Sequence, residues 1–91
     1  MRSPLLFNNW GLSLWQAGHR AEAAAMFDQA IELDADNFNA HLNLGQLLTN
    51  FGQLELAKQH LQRATELNPG SATVRDSLAK VEALQARSPN R

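Results

Sequence analysis

With 91 residues, of which 44% are hydrophobic, the chain has the size of one small domain and the composition of a globular protein rather than a disordered one. Tyr and Cys are absent, which removes a disulfide framework and a thiolate metal site, and a formal charge of −1 leaves no basic footprint for nucleic acid. No apolar run approaches the roughly 20 residues that span a bilayer. Met1-Arg2 ahead of Pro4-Leu5-Leu6-Phe7 resembles a signal peptide only faintly, because Asn8 and Asn9 interrupt the apolar run, so the N-terminus reads as mature structure. Lack of Cys is compatible with any compartment. With no convincing leader and no membrane-spanning segment, the cytoplasm is favoured.

Ser3 is placed to N-cap a first helix, with Pro4 at the position where a missing N–H costs nothing. That helix is expected over residues 4–17, stopping at Gly18, the residue type suited to a left-handed C-terminal cap. A second helix is expected over residues 20–33. Glu22 suits its dipole, and Ala23, Met26, Phe27, Ala30 and Ile31 form one apolar face. Asn37 caps a third helix over residues 38–50, with Leu44, Leu47, Leu48 and Phe51 as core, ending at Gly52. A fourth, over residues 54–67, offers Leu54, Ala57, Leu61, Ala64 and Leu67, and Pro69-Gly70 closes it. Ser71 caps a fifth helix over residues 72–87, with a narrow stripe of Val74, Leu78, Val81 and Leu84 and an otherwise polar surface. A polar outer face is what the terminal element of a solenoid needs. Residues 88–91 read as a frayed tail.

The segment from Phe38 to Ser71 is a copy of what precedes it. Asn43 falls 34 residues after Asn9, and the same offset carries Gly11 to Gly45, Leu14 to Leu48 and Gly18 to Gly52. In the second half it carries Ala23 to Ala57, Phe27 to Leu61, Ala30 to Ala64 and Glu32 to Glu66. The three caps, Ser3, Asn37 and Ser71, share the spacing. Self-similarity at this period with helix-turn-helix patterning marks a solenoid repeat.

The period and these residues together resemble the tetratricopeptide repeat (TPR) family. Leu44-Gly45, Ala57, Leu61, Ala64 and Pro69 match its pattern in the central repeat, as do Trp10-Gly11, Ala23, Phe27 and Ala30 in the first. Ala35 stands where the proline belongs, Phe7 and His41 replace the usual Trp, and Leu14 and Leu48 the usual Tyr. The resemblance implies an all-α, right-handed α-solenoid of antiparallel helix pairs, five helices in one domain over residues 1–91. Repeat one is residues 4–37, repeat two 38–71, and a capping helix 72–87 precedes the tail. A glycine inside a helix costs roughly 0.5–1 kcal/mol relative to alanine, so Gly11 and Gly45 need a packing reason: close approach of the paired helix against Ala23 and Ala57. With Ala30, Ala64 and Pro69 these residues are structural.

No reactive groups converge in the sequence. His19, His41 and His60 lack metal-ligand spacing, and a partly packed His41 is expected. Glu22, Asp28, Glu32, Asp34 and Asp36 read as solvated surface, and Ser13 and Ser77 have no candidate base in the pattern. Neither catalysis nor a cofactor, metal, nucleic-acid or membrane partner is expected. What remains is a surface, since the first helix of each repeat lines the concave face of such a superhelix. By resemblance the groove draws on Leu5, Asn8, Asn9, Leu12, Trp15 and Gln16, then Asn39, Leu42, Asn43, Gln46, Thr49 and Asn50. The capping helix adds Thr73, Asp76, Ser77 and Lys80.

Asn9 and Asn43 share one repeat position and either grip a peptide backbone or hydrogen-bond locally. A family clamp for a C-terminal carboxylate matches only at Asn43, with Asn8, Leu12, Thr73 and Ser77 in place of its partners, so that mode is not expected. Trp10 is expected in the core. Trp15 is either a groove anchor or, slightly ahead, partly buried against the neighbouring repeat. The function expected is a protein-interaction module that binds a peptide or helix of a partner. The alternatives are a self-associating homodimer built on Leu5, Leu6 and Phe7, or an accessory segment of a larger repeat-bearing protein or enzyme.

Overall fold

The computed structural model describes residues 3–87, and the N-terminal Met1-Arg2 and the expected tail lie outside them. Five helices follow one another: α1 (Pro4–Gln16), α2 (Arg20–Leu33), α3 (Phe38–Phe51), α4 (Leu54–Leu67) and α5 (Ala72–Arg87). Three of the five spans coincide with the expected ones. α1 ends one residue early and α3 one late, the usual uncertainty of a fraying last turn.

The first helix of each unit starts on a side-chain cap. Ser3 Oγ accepts from the Leu5 N–H at 3.2 Å, Asn37 Oδ1 from Ala40 at 2.9 Å, and Ser71 Oγ from Val74 at 3.3 Å. Each satisfies a donor that the helix leaves unpaired. The second helices lack such caps and instead leave directly from glycine turns. Gly18 and Gly52 adopt φ of +91° and +80°, and the next N–H groups, of His19 and Gln53, donate to Leu14 and Leu48 carbonyls. This closure folds each second helix back along the first.

α1 packs mainly on α2 and α3 on α4, while α2 packs on α3 and α4 on α5. The result is an all-α solenoid, elongated at 45 × 29 × 19 Å. Its core joins Phe27 to Leu44, Leu47, Leu48, Leu61 and Val81 across both units. Ala23, Ala30, Ala57 and Ala64 are fully buried, as their place in the pattern requires. Pro69 sits exposed in the turn between α4 and α5. Among the described residues no helix is long and apolar enough to cross a membrane.

Three expectations need correction. The glycines are indeed points of close approach, but the neighbours are large. A Cβ on Gly11 would lie 2.6 Å from the Phe27 ring, and one on Gly45 2.6 Å from Leu61 Cγ. The nearest Ala57 atom is its carbonyl oxygen, at 3.4 Å from such a Cβ. The second helix fills the gap that each glycine leaves, so bulk is conserved across the interface. Trp10 is not core: it is 51% exposed and stacks on Phe7, with ring centroids 6.2 Å apart. Phe51, in the last turn of α3, is 41% exposed where the chain turns away at Gly52.

Candidate functional site

α1, α3 and α5 contact one another in series, so the first helices of successive units share one face. On that face a cleft of about 240 Å³ is lined by Trp15 of α1, Gln46, Thr49 and Asn50 of α3, and Ser77 and Lys80 of α5. All six were expected in the groove. The side-chain amide of Gln46 donates to Ser77 Oγ at 3.1 Å, tying α3 to α5 beside the cleft. Thr49 spends its hydroxyl proton on the Gly45 carbonyl at 2.8 Å. Trp15 stands between the core and the cleft. It is half-buried against the core, edge-on to Phe27 at 6.4 Å and 72°, and it also forms a wall of the cleft. Lys80 makes no ion pair among the described residues, so its ammonium is available to a visiting anion.

The remaining candidates lie outside this cleft. Leu5, Asn9, Leu12, Gln16, Asn39, Thr73 and Asp76 are exposed, while Leu42 and Asn43 are half-buried and Leu42 packs against the core. Neither Asn9 nor Asn43 makes a side-chain hydrogen bond among the described residues, which leaves both amides without the local partner one reading gave them.

Asn8 does not belong to the groove at all. It is 4% exposed, and its Nδ2 donates at 3.0 Å to Asn37 Oδ1, the same oxygen that caps α3. Its own Oδ1 is buried without a partner. Register carries a hint of this, because the equivalent position is the half-buried Leu42.

A second polar cluster, His41 with His60, escaped pattern reading. His41 is buried and lies between the α2–α3 turn and α4. Its Nε2 is 2.8 Å from the Ala35 carbonyl, which can only accept, so the proton sits on Nε2 and Nδ1 is an acceptor. His60 Nδ1 must then carry the proton it shares with His41 Nδ1 at 3.1 Å. Burial holds the His60 pKa below 6.5 and His41 lowers it further, with Asp28 opposing. Burial also raises the Asp28 carboxyl, which His60 partly offsets and Glu32 reinforces. Among the described residues no three ligating side chains form a metal-sized group.

A histidine neutral in the fold and titrating near 6.5 when unfolded gives stability that is full above that pH. It is lost as pH falls toward the folded value, since the unfolded chain takes up the proton first. Asp28 acts in the opposite sense and only at lower pH, because its folded form binds a proton more readily. The urea midpoint is therefore expected to fall between about pH 7.5 and about pH 5.5, and His60→Gln to flatten that slope. Equal slopes in the two proteins would show that the pair does not carry the effect.

The family model described as tetratricopeptide repeat matches residues 14–81. Over 68 residues the chain is 34% identical to the protein O-mannosyl-transferase Tmtc3 of Drosophila melanogaster, a match that covers 75% of this chain and 7% of that protein. The chain thus spans only a small part of the curated relative it matches. Among solved structures it is similar to the second TPR domain of human RPAP3 in complex with the HSP70 peptide SGPTIEEVD. That likeness has a TM-score of 0.82 at 29% identity, over 88% of this chain and 67% of the other. The first TPR of Spaghetti (RPAP3), bound to the HSP90 peptide SRMEEVD, superposes with a TM-score of 0.89 over 92% of this chain and 67% of that one. At 24% identity this second likeness is one of fold.

Proposed function

Because the chain belongs to the tetratricopeptide repeat family, we propose that it is a non-catalytic interaction module whose concave face holds a peptide or helix of another protein. The observation that carries this reading is the cleft shared by three first helices, in which one aromatic wall, two amides and one unpaired cation converge. Trp15 is held edge-on by Phe27 and offers a rigid apolar surface, the kind of anchor that dominates binding energy. Asn50 and Gln46 supply donors and acceptors for a peptide backbone, and Lys80 a counter-charge for one carboxylate. Asn43, on the same helix as these amides, adds another contact further along the groove.

The RPAP3 domain that holds an HSP70 peptide supports a peptide as the class of occupant. It does not extend to that peptide's acidic end. Of the five clamp positions only Asn43 is matched, and Asn8 is already engaged by Asn37. The favoured occupant is a mostly uncharged segment with an apolar side chain for Trp15 and a single acidic group for Lys80.

Selection of binders from a displayed peptide library, followed by calorimetry, tests the reading. Trp15→Ala is expected to weaken a selected peptide about 30-fold, at roughly 2 kcal/mol for a hot-spot aromatic, with helicity retained. Asn43→Ala should give a smaller loss, and Lys80→Gln should reduce the salt dependence of binding. Affinity unchanged by both Trp15→Ala and Asn43→Ala would rule out the groove.

A further inference from the structure

His41 on α3 and His60 on α4 stand 19 residues apart, so no ligand spacing along a single helix reveals them. Packing of the two helices sets their Nδ1 atoms opposite each other at 3.1 Å, with ring centroids 5.3 Å apart. The Ala35 carbonyl takes the His41 Nε2 proton at 2.8 Å, which fixes that ring and turns the Nδ1 lone pair toward His60. A backbone carbonyl on the far nitrogen is how proteins orient a metal-ligating histidine and raise its basicity. Two imidazole nitrogens on one ion, each at about 2.0–2.1 Å, lie roughly 2.8–3.4 Å apart in octahedral or tetrahedral geometry. The observed separation falls inside that window. Burial holds the His60 pKa below 6.5, which keeps that ring in its neutral, ligating form at about pH 7. Asp28 on α2 is close enough to favour positive charge at His60, and Glu32 acts on Asp28 in turn, so two carboxylates bias the spot toward a cation. Arg63, one turn further along α4, is engaged with Asp36 and Glu66.

We propose that His41 and His60 clasp a divalent first-row transition ion, zinc being the representative probe, through their two Nδ1 atoms. Imidazole suits zinc, copper and nickel, whereas magnesium and calcium prefer oxygen. The exchange balances without a redox step. The proton on His60 Nδ1 leaves, the same ring takes one on Nε2, and both rings stay neutral while the ion brings its own charge. No third protein ligand lies within metal range among the described residues, so water completes the coordination. Half-buried His60 is the side from which ion and water enter. Two protein ligands make the site weaker than a closed structural zinc centre with four. Its effect is mechanical: the ion ties α4 to α3 beside the Ala35 turn and braces the junction between the repeats. The site shares no residue with the cleft and does not depend on the groove reading.

The test titrates the intact chain, first stripped with a chelator, with zinc chloride at about pH 7.5 while thermal unfolding is followed. Tm is expected to climb with the logarithm of zinc concentration, by about 4 °C or more once zinc exceeds its Kd about 10-fold. Magnesium chloride should leave Tm where it was. His41→Gln and His60→Gln should each remove the climb, measured against the variant's own zinc-free baseline. His19→Gln, which changes an exposed histidine, should retain it. Long-range proton–nitrogen correlation spectra of the unmutated chain give a readout that the folding of variants cannot affect. Without zinc His60 carries its proton on Nδ1, and with zinc both rings are expected to carry it on Nε2 alone. A Tm that stays flat up to about 1 mM zinc would overturn the proposal, as would a climb that survives either histidine change. Spectra in which His60 keeps its Nδ1 proton in the presence of zinc would also overturn it, since the pair is then a hydrogen bond and nothing more.

Discussion

Gly45→Ala is expected to destabilise the fold by about 1–3 kcal/mol, although alanine is the better helix former by roughly 0.5–1 kcal/mol. The added methyl would stand 2.6 Å from Leu61 Cγ and 2.7 Å from its Cδ2. Cγ is the branch point of a fully buried side chain, so it cannot swing aside as an exposed tip would. Either α4 moves away from α3 or Leu61 leaves its rotamer, and each loosens the core around Leu44 and Leu47. Urea titration of the single variant measures the loss. Gly70→Ala is the control, because the nearest atom to its new methyl is 3.9 Å away and stability should hold. Combining Gly45→Ala with Leu61→Ala should cost less than the sum of the two single changes, since the second removes what the first collides with. Strict additivity would mean that the clash is relieved elsewhere.

Phe27→Ala is expected to cost about 3–5 kcal/mol. The whole chain is stabilised by only roughly 5–14 kcal/mol at the usual 0.05–0.15 per residue, so the variant stands close to unfolding at 37 °C. Phe27 is fully buried, fills the space opposite Gly11, and turns its ring against Trp15. Its removal leaves a cavity beside a residue with no side chain to fill it, and takes away the backing of the cleft's aromatic wall. Below its melting point the variant should therefore show red-shifted Trp15 emission in a Trp10→Phe background, together with weakened peptide binding. Phe51→Ala offers the comparison, because that residue is 41% exposed rather than fully buried and its loss should cost only about 1 kcal/mol. A Phe27→Ala cost as small as that of Phe51→Ala would show that the ring does not hold the core.

Much of the architecture is written in features that act at short range. Ser3, Asn37 and Ser71 announce three helix starts because a cap needs only its own side chain and an N–H two or three residues on. Gly18 and Gly52 announce the turns because a left-handed residue excludes most others. What escaped depends on partners distant along the chain. Asn8 and Asn9 are the same residue type in neighbouring positions, yet a bond to Asn37, 29 residues away, buries one and leaves the other in solvent. The family resemblance assigned Trp10 to the core because the pattern has Leu there, and a pattern cannot say that, among the described residues, no helix covers α1 as α2 covers α3. The resemblance named sixteen residues for one face, but not which six of them close into one cleft. That depends on how far α5 leans over α3, a property of packing rather than of spacing.

The turn between α2 and α3 is counted as the seam between two repeats, yet it is heavily cross-braced. Asp34 accepts from the backbone of Asp36 and the side chain of Asn37. Asn37 in turn holds Asn8 from α1, the Ala35 carbonyl holds His41 from α3, and Asp36 pairs with Arg63 from α4. Three connector residues are thus grasped from three different helices, and the fourth, Asp34, ties two of them together. The repeat is the unit of the sequence pattern, but bonds run across its seam from Ala35 to His41 and from Asp36 to Arg63. To divide the chain at its apparent joint is to cut through its keystone.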